Sequence, residues 1–175
     1  MALLISYPTT EYSGTLNGLD SGGTSRAAQT FTAPSNASVT SVQFYVAKDA
    51  AVTGSVTAKL YSTSAGSPNA VLATSTGIDA STFQILSGGG PNDNLSLIEF
   101  TFPSPYSIVS GTVYAISLEK NNAGTIYIGS DGGSPTFPGT FYFYVSSWSS
   151  DVNDLIFYLY GTVASTNNSS FFNLM

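Results

Sequence analysis

The chain contains very few of the residues that cover an exposed helix face, and this limits its fold more than any other feature. Such faces are built mainly from Glu, Lys, Arg and Gln. The 175 residues include three Glu, three Lys, one Arg and three Gln. Thr, Val, Ile, Tyr and Phe are abundant, and they favour a pleated, half-buried surface. Hydrophobic residues make up 42% of the chain, which is enough for a core, so the sequence predicts one all-β globular domain.

Period-two alternation of apolar residues locates the strands. Val42, Phe44 and Val46, for example, alternate with more polar neighbours. Pro103 and Pro105 are expected to end one strand, because proline lacks the N–H that the ladder needs. About eight to nine strands and no convincing helix predict an antiparallel jelly-roll-like β-sandwich, with a closed barrel as the alternative. The predicted strands span residues 27–33, 41–47, 54–62, 71–76, 95–102, 113–119, 125–129, 141–145 and 155–163.

The two ends of the chain are predicted to lie outside the sandwich, which is assigned to residues 27–163. Residues 1–26 are rich in turn-forming residues and are interpreted as an N-terminal arm, with at most a short strand near residues 3–7. Residues 164–175 are interpreted as a C-terminal tail with an apolar end. This end either folds back on its own domain or docks into a neighbouring subunit, and the arm could add a strand to a neighbour. The predicted assembly contacts are Leu3, Leu4, Ile5, Phe171, Phe172, Leu174 and Met175.

The charge pattern excludes several classes of partner. The formal net charge is −6 with four basic residues. The chain therefore lacks the basic surface that binds a nucleic acid or an anionic membrane. No segment approaches the roughly 18 apolar residues of a membrane helix, so no membrane insertion is expected. The apolar run near the N-terminus has no basic residues before it, so we expect no signal peptide.

The sequence offers little for catalysis. The chain has no Cys and no His, which removes thiolate metal sites and the Ser–His–Asp type of triad. Glu99 and Glu119 could supply a pair of carboxylates for glycoside cleavage, but solvated strand charges are the simpler interpretation. No motif supports a Ser–Lys pair. The chain is therefore predicted not to be an enzyme.

Calcium is the one cofactor for which the sequence offers ligands. Asp131, Asp151 and Asp154 lie in or near loops that would converge at one end of a sandwich, and Ca²⁺ needs several carboxylate and carbonyl oxygens. The alternative is that these residues only stabilise turns, because Asp side chains commonly accept hydrogen bonds from nearby backbone groups. No EF-hand pattern is present.

Aromatic residues are dense, with 11 Tyr, 11 Phe and 1 Trp, and they suggest a glycan site. Trp148 sits among serines, which is typical of a loop, and Tyr142 and Tyr144 alternate with phenylalanines. Sugar rings stack on exposed aromatic side chains, and an amide such as that of Asn153 can hold sugar hydroxyls. The alternative is that these rings are core residues, cross-strand pairs or subunit contacts.

Six segments occur in an order that is similar to that of a known family. They are residues 28–32 (AQTFT), 42–45 (VQFY), 56–61 (VTAKLY), 66–68 (GSP), 127–135 (YIGSDGGSP) and 154–161 (DLIFYLYG). This order resembles the jelly-roll domains of the choice-of-anchor type, found in bacterial surface proteins and phage structural proteins. The resemblance implies a displayed β-sandwich and no catalytic residue. The chain departs from the family because the domain fills nearly the whole sequence, which fits a virion decoration or fibre subunit better than a surface anchor.

Together these features predict a non-enzymatic structural display protein, a capsid decoration or fibre component of a phage virion that docks through its termini. Its partners would be other copies of itself, or a capsid or tail protein. Such a protein folds in the host cytoplasm and is then displayed on the virion surface. The alternative is a carbohydrate-binding module for host attachment or cell-surface adhesion, which would be extracellular or on the cell surface and bind a surface glycan.

Overall fold

Two antiparallel sheets packed as a β-sandwich form the protein in the computed structural model, which describes residues 1–20, 23–88, 90–121 and 123–164. The described helices are three 3₁₀ turns, Thr9–Glu11, Ala80–Thr82 and Gly90–Asn92. No helix in the described part of the chain is long and apolar enough to cross a membrane. The strands are β1 (Ala2–Tyr7), β2 (Thr15–Leu19), β3 (Arg26–Thr32), β4 (Ala37–Lys48), β5 (Ser55–Ser64), β6 (Ser67–Thr74), β7 (Ile78–Asp79), β8 (Ser96–Ile108), β9 (Val113–Lys120), β10 (Ile126–Asp131), β11 (Phe141–Tyr144), β12 (Trp148–Asp151), β13 (Asp154–Leu155) and β14 (Phe157–Val163).

Each sheet has seven strands. The first has the order β1-β14-β4-β10-β13, with β2 added to β10 and β8 added to β4; the second has the order β12-β11-β3-β9-β5-β6, with β7 added to β5. The predicted all-β antiparallel sandwich is confirmed, but the described residues form fourteen strands where eight to nine were expected. Besides β1 and β2, which precede the predicted sandwich, the additional strands are short, since β7 and β13 have two residues each and β12 has four. So few residues do not produce a recognisable alternating pattern.

The core lies between the sheets and is built from alternating residues of the long strands. Val42, Phe44 and Val46 of β4 are fully buried, as the period-two pattern predicts. Phe100 of β8 packs against Phe44 in a T-shaped pair with ring centroids 6.2 Å apart. Leu60 of β5 faces the same core from the second sheet. The intervening residues of each strand therefore lie on the outer faces of the sandwich.

Residues 1–26 differ from the predicted irregular arm, because two strands in this region belong to the first sheet. β1 pairs with β14 and places Tyr7 opposite Phe157, whereas β2 pairs with β10 and places Leu19 opposite Ile126. Tyr7 and Leu19 are both buried in the core. β1 coincides with the short strand that was allowed near residues 3–7, whereas β2 was not expected because the loops around it are rich in Gly, Ser and Thr.

The predicted assembly contacts at the N-terminus lie within β1. Leu4 and Ile5 pack against the protein's own core, whereas Leu3 is 51% exposed. β1 therefore belongs to its own sheet and is not a free arm, whereas the contacts of Leu3, Leu4 and Ile5 with another subunit stay a prediction. The other predicted contacts lie outside the described residues: Phe171, Phe172, Leu174 and Met175.

β8 is longer than predicted, because Pro103 and Pro105 do not end it. The strand continues to Ile108. It pairs with β4, and the register of this pair shifts between Thr101 and Tyr106 of β8. Both prolines fall in this irregular stretch, where the ladder makes no use of the N–H that proline lacks.

Candidate functional site

The central strand of the second sheet, β9, is buried on both faces, although an antiparallel sandwich commonly leaves its outer faces to solvent. Ile116 and Leu118 face the core. Ala115 and Ser117 alternate with them and point outward, yet both are 0% exposed. Larger side chains from neighbouring strands must therefore cover this outer face.

Tyr61 is one of the side chains that cover it. In the register of β5 and β9, Tyr61 lies opposite Ala115, and Thr57 lies opposite Glu119. The Tyr61 hydroxyl nevertheless donates a hydrogen bond to Oε1 of Glu119. The ring of Tyr61 therefore lies along the strands, over the position of Ser117.

Trp148 and Tyr144 extend this aromatic layer from the opposite edge of the sheet. The centroid of the Trp148 ring lies 5.8 Å from that of Tyr61 and 5.2 Å from that of Tyr144, with the rings at steep angles. Three strands separate β12 from β5, so the rings reach towards each other above the small side chains of Ala28 and Ser117. Edge-to-face contacts of this kind contribute about 0.5–1.5 kcal/mol each beyond their buried area.

A group of charges lies beside these rings. The guanidinium carbon of Arg26 is 4.3 Å from the centroid of the Tyr144 ring, which is a cation–π contact. Nε of Arg26 lies 3.6 Å from Oε2 of Glu119, and Nζ of Lys59 donates to the same oxygen at 2.6 Å. We call the following residues the aromatic–charge cluster: Arg26, Lys59, Tyr61, Ser117, Glu119, Tyr144 and Trp148.

Glu119 occupies the centre of the aromatic–charge cluster. Its side chain is 7% exposed, against 25% for that of Lys59 and 36% for that of Arg26. Its Oε1 accepts from the Tyr61 hydroxyl and from Oγ of Ser117 at 3.1 Å. Burial and the hydrogen bond to Glu119 raise the pKa of Tyr61 well above its ordinary value. The hydroxyl of Tyr61 therefore stays protonated at neutral pH and remains a donor to the carboxylate.

A cavity of about 250 Å³ opens beside Glu119. Arg26, Lys59 and Asn121 also line it. Arg26 connects this cavity to the aromatic rings, because it both lines the cavity and stacks on Tyr144. The lining of the cavity is polar, so it can hold a small polar ligand by hydrogen bonds, and only a ligand that extends past Arg26 would reach the rings.

The structure brings three of the four residues predicted to bind a glycan to this outer face. Trp148 and Tyr144 belong to the aromatic–charge cluster, and Tyr142 points to the same face from β11, opposite Ala28. All three side chains are partly exposed. Asn153 lies elsewhere, where its Nδ2 donates to Oδ1 of Asn17 of the first sheet at 3.4 Å. Trp148 begins β12, which corrects its predicted place in a loop.

The residues predicted to bind calcium fall into two places. Asp131 and Asp154 lie opposite each other in the β10–β13 pair, and both are buried. Asp151 is exposed on β12 of the second sheet, opposite Phe141. No group of three His, Cys, Asp or Glu residues that could hold a metal occurs among the described residues. The structure thus brings together two of the three predicted ligands.

Asp131 and Asp154 engage their oxygens in hydrogen bonds within the protein. Asp131 accepts from the hydroxyl of Tyr7 at 2.8 Å and from the backbone N–H of Gly133 at 2.9 Å. Burial raises the pKa of Asp131, but these hydrogen bonds outweigh burial and hold the pKa below its ordinary value. Asp154 accepts from Nε2 of Gln29 at 2.8 Å, and burial raises the pKa of Asp154 above its ordinary value. Both carboxylates therefore tie the strand ends and the following loop together.

Glu99 and Glu119, the two carboxylates considered for glycoside cleavage, lie on different sheets. Glu99 is exposed on β8 of the first sheet, opposite Gln43, whereas Glu119 lies on the outer face of the second sheet. The sandwich core separates them, so they do not form a catalytic pair across one substrate.

Sequence reasoning missed the partners that complete the site, namely Arg26, Lys59 and Tyr61. One signal was present in the sequence. Ala115 and Ser117 place two small side chains on the polar face of a strand whose other face is strongly apolar. Small residues in the middle of an outer face leave room for larger side chains from both neighbouring strands to meet above them.

No family model, no curated protein and no solved structure matches the chain. The resemblance to choice-of-anchor domains therefore stays a prediction from the sequence, and the functional argument proceeds from the aromatic–charge cluster.

Proposed function

We propose that the chain is a non-catalytic, displayed binding module that recognises a carbohydrate through the aromatic–charge cluster. The observation that carries the proposal is the position of Trp148, which is partly exposed and packs against Tyr61 and Tyr144 on an outer face. These rings lie outside the core between the sheets. Trp148 and Tyr144, which are partly exposed, therefore present apolar surface next to polar groups at a solvent boundary, whereas Tyr61 is buried.

The chemistry of the site suits a sugar. The C–H face of a pyranose packs on an aromatic ring, while its hydroxyls need donors and acceptors that are fixed in place. Arg26, Lys59 and Asn121 supply such groups around the neighbouring cavity. Glu119 is held by four contacts, which keeps the cations beside it in place.

Binding without hydrolysis is supported by the placement of the carboxylates. Glycoside cleavage uses two carboxyl groups about 5–10 Å apart on either side of the bond. Among the described residues of the aromatic–charge cluster, Glu119 is the one carboxylate, and both of its oxygens already face donors.

The experiment is a glycan array with the full-length chain, followed by calorimetry on the glycans that bind. Trp148→Ala should weaken binding by about tenfold or more, since buried aromatic anchors dominate such interfaces. The matched control is Tyr160→Ala, which removes an aromatic side chain from β14 of the first sheet. Binding that is absent, or that falls equally in both folded variants, would overturn the proposal.

A second candidate is the structural display role, as a decoration or fibre component of a virion. One observation favours it: among the described residues β1 pairs with β14 alone, and its outer edge carries the exposed Leu3. An open strand edge can pair with another chain. Light scattering should find an oligomer that is lost in Leu3→Glu. A monomer for wild type, and for a chain ending at Val163, would count against self-assembly.

A further inference from the structure

We propose that the saccharide is acidic and that Arg26 and Lys59 bind its carboxylate. The inference rests on the proposed function, because it names the class of sugar that the aromatic–charge cluster takes. It is carried by the charges of the cluster and by the geometry of the two cations.

The distribution of cations is the first argument. The chain has a net charge of −6 and four basic residues in all. Two of these four, Arg26 and Lys59, converge on the single carboxylate of Glu119. One cation would neutralise Glu119, so the second leaves a local positive charge in an otherwise acidic protein. A local positive charge beside a cavity favours an anionic ligand.

The geometry of Arg26 is the second argument. Its Nε faces Glu119 at 3.6 Å, and the side chain is 36% exposed, with its guanidinium stacked on the ring of Tyr144. The two terminal amino groups carry four of the five N–H donors of a guanidinium. They form a planar fork that matches a carboxylate in a bidentate pair. Stacking on Tyr144 fixes the plane of the fork before a ligand arrives, which lowers the entropy cost of binding.

Lys59 supplies a further donor from the other side of Glu119. Its Nζ uses one hydrogen bond to reach Oε2 at 2.6 Å, and an ammonium group has three donors. The side chain is 25% exposed, so the ammonium group is still accessible from the cavity. The cavity volume of about 250 Å³ is close to the lower end of small-molecule sites, about 300 Å³. The site therefore suits one charged sugar residue, with neighbouring sugars towards Trp148.

The test compares acidic saccharides with neutral saccharides of matched size. The probes are sialyllactose and trigalacturonate, with the neutral trisaccharides galactosyllactose and maltotriose as their counterparts and sulfolactose as a sulfate analogue. At least one carboxylate probe should bind the full-length chain about tenfold or more tighter than its counterpart, the usual effect of a charge-assisted hydrogen bond. Raising the salt concentration from about 0.05 to about 0.5 M should reduce this preference.

Variants assign the preference to the two cations. Arg26→Gln and Lys59→Gln should each remove most of the preference, and Arg26→Lys should recover only part of it, because it restores the charge without the planar fork. Glu99→Gln on the first sheet should change nothing. Arg26→Lys also keeps the ion pair with Glu119, so it tests the inference if Arg26→Gln does not fold.

Three outcomes would overturn the inference, and they are distinguishable. Equal binding of neutral and acidic probes, unaffected by Arg26→Gln, refutes the acidic sugar and leaves carbohydrate binding intact. Binding of sulfolactose as tight as that of sialyllactose refutes the preference for a carboxylate. Binding of none of the saccharides, on these probes and on the array, refutes the proposed function itself.

Discussion

The hydroxyl of Tyr61 donates a hydrogen bond to Glu119 across β5 and β9, although the two residues do not face each other in the register. Glu119 lies opposite Thr57, and Tyr61 lies four residues after Thr57 on the same face of the strand. The phenol ring therefore lies along the sheet and joins the Trp148 ring to the buried carboxylate. One side chain thus connects the aromatic half of the cluster to its charged half.

Tyr61→Phe removes this connection while keeping the ring. The variant should lower the free energy of unfolding by about 1–2 kcal/mol, because a hydrogen bond to a buried carboxylate is lost. Urea denaturation followed by circular dichroism measures the change. The matched control is Tyr160→Phe, whose hydroxyl donates to Gln43 at 3.3 Å on a partly exposed face. Tyr160→Phe should lower the free energy of unfolding by less than about 0.5 kcal/mol. Equal losses in the two variants would show that the hydrogen bond of Tyr61 stabilises the fold no more than that of Tyr160.

Strands that pack one face on the core were predictable from the sequence. In β4 and β5, residues such as Phe44 and Leu60 recur at every second position because only one face meets the other sheet. β1 showed this signal only weakly, and the sequence indicated at most a short strand near residues 3–7. A register shift between Leu3 and Ile5 interrupts its alternation, so a short apolar run did not show the period of a strand.

The site was predictable only in part, because its members come together through strand order. Arg26 lies opposite Glu119 in the β3–β9 pair, and Lys59 lies opposite Ser117 in the β5–β9 pair. β9 is far from β3 and β5 in the chain, so these neighbours follow from the topology of the sheet. Local pattern identifies which residues share a face of one strand, but it does not identify the neighbouring strand.

Asp131→Asn should lower the free energy of unfolding by an amount that depends on pH. The pKa of Asp131 in the folded protein lies below the ordinary value of 3.8, so its ionised form stabilises the fold above that value. This stabilisation is lost as the pH falls through the folded pKa. The variant should be less stable than wild type by about 2 kcal/mol at about pH 7, and the difference should shrink below about pH 4.

Denaturant midpoints of wild type and Asp131→Asn across this range measure the difference. Glu99→Gln, which changes an exposed carboxylate on β8, is the control and should show no comparable trend. Asp154 has a raised pKa and acts with the opposite sign, but it is present in both chains. A difference that stays constant with pH would mean that the charge of Asp131 does not stabilise the fold.

Ile5→Ala and Leu3→Ala form a matched pair that tests the place of β1. Ile5 packs against the core, whereas Leu3 is 51% exposed. Ile5→Ala should lower the free energy of unfolding by about 1–2 kcal/mol, and Leu3→Ala should change it by less than about 0.5 kcal/mol. Thermal and urea unfolding of the full-length chain measure both. Two neutral variants would restore the interpretation of residues 1–26 as an arm that does not contribute to the fold.

Gly161→Ala should disturb the point where β14 pairs with both β1 and β4. A Cβ atom at this position would lie 2.3 Å from the carbonyl oxygen of Ser38 and 2.7 Å from Cδ1 of Leu4. The backbone oxygen cannot move without breaking the ladder, so the variant should lose about 1–3 kcal/mol of stability.

Gly18→Ala in β2 is the control, because its Cβ would meet only side-chain atoms, the nearest being Cγ2 of Thr125 at 3.2 Å. Its cost should stay within about 1 kcal/mol, since the lost freedom of the unfolded chain offsets part of the crowding. Urea unfolding of both variants decides the comparison, and a tolerated Gly161→Ala would mean that β1 and β4 do not close on β14 as tightly as described.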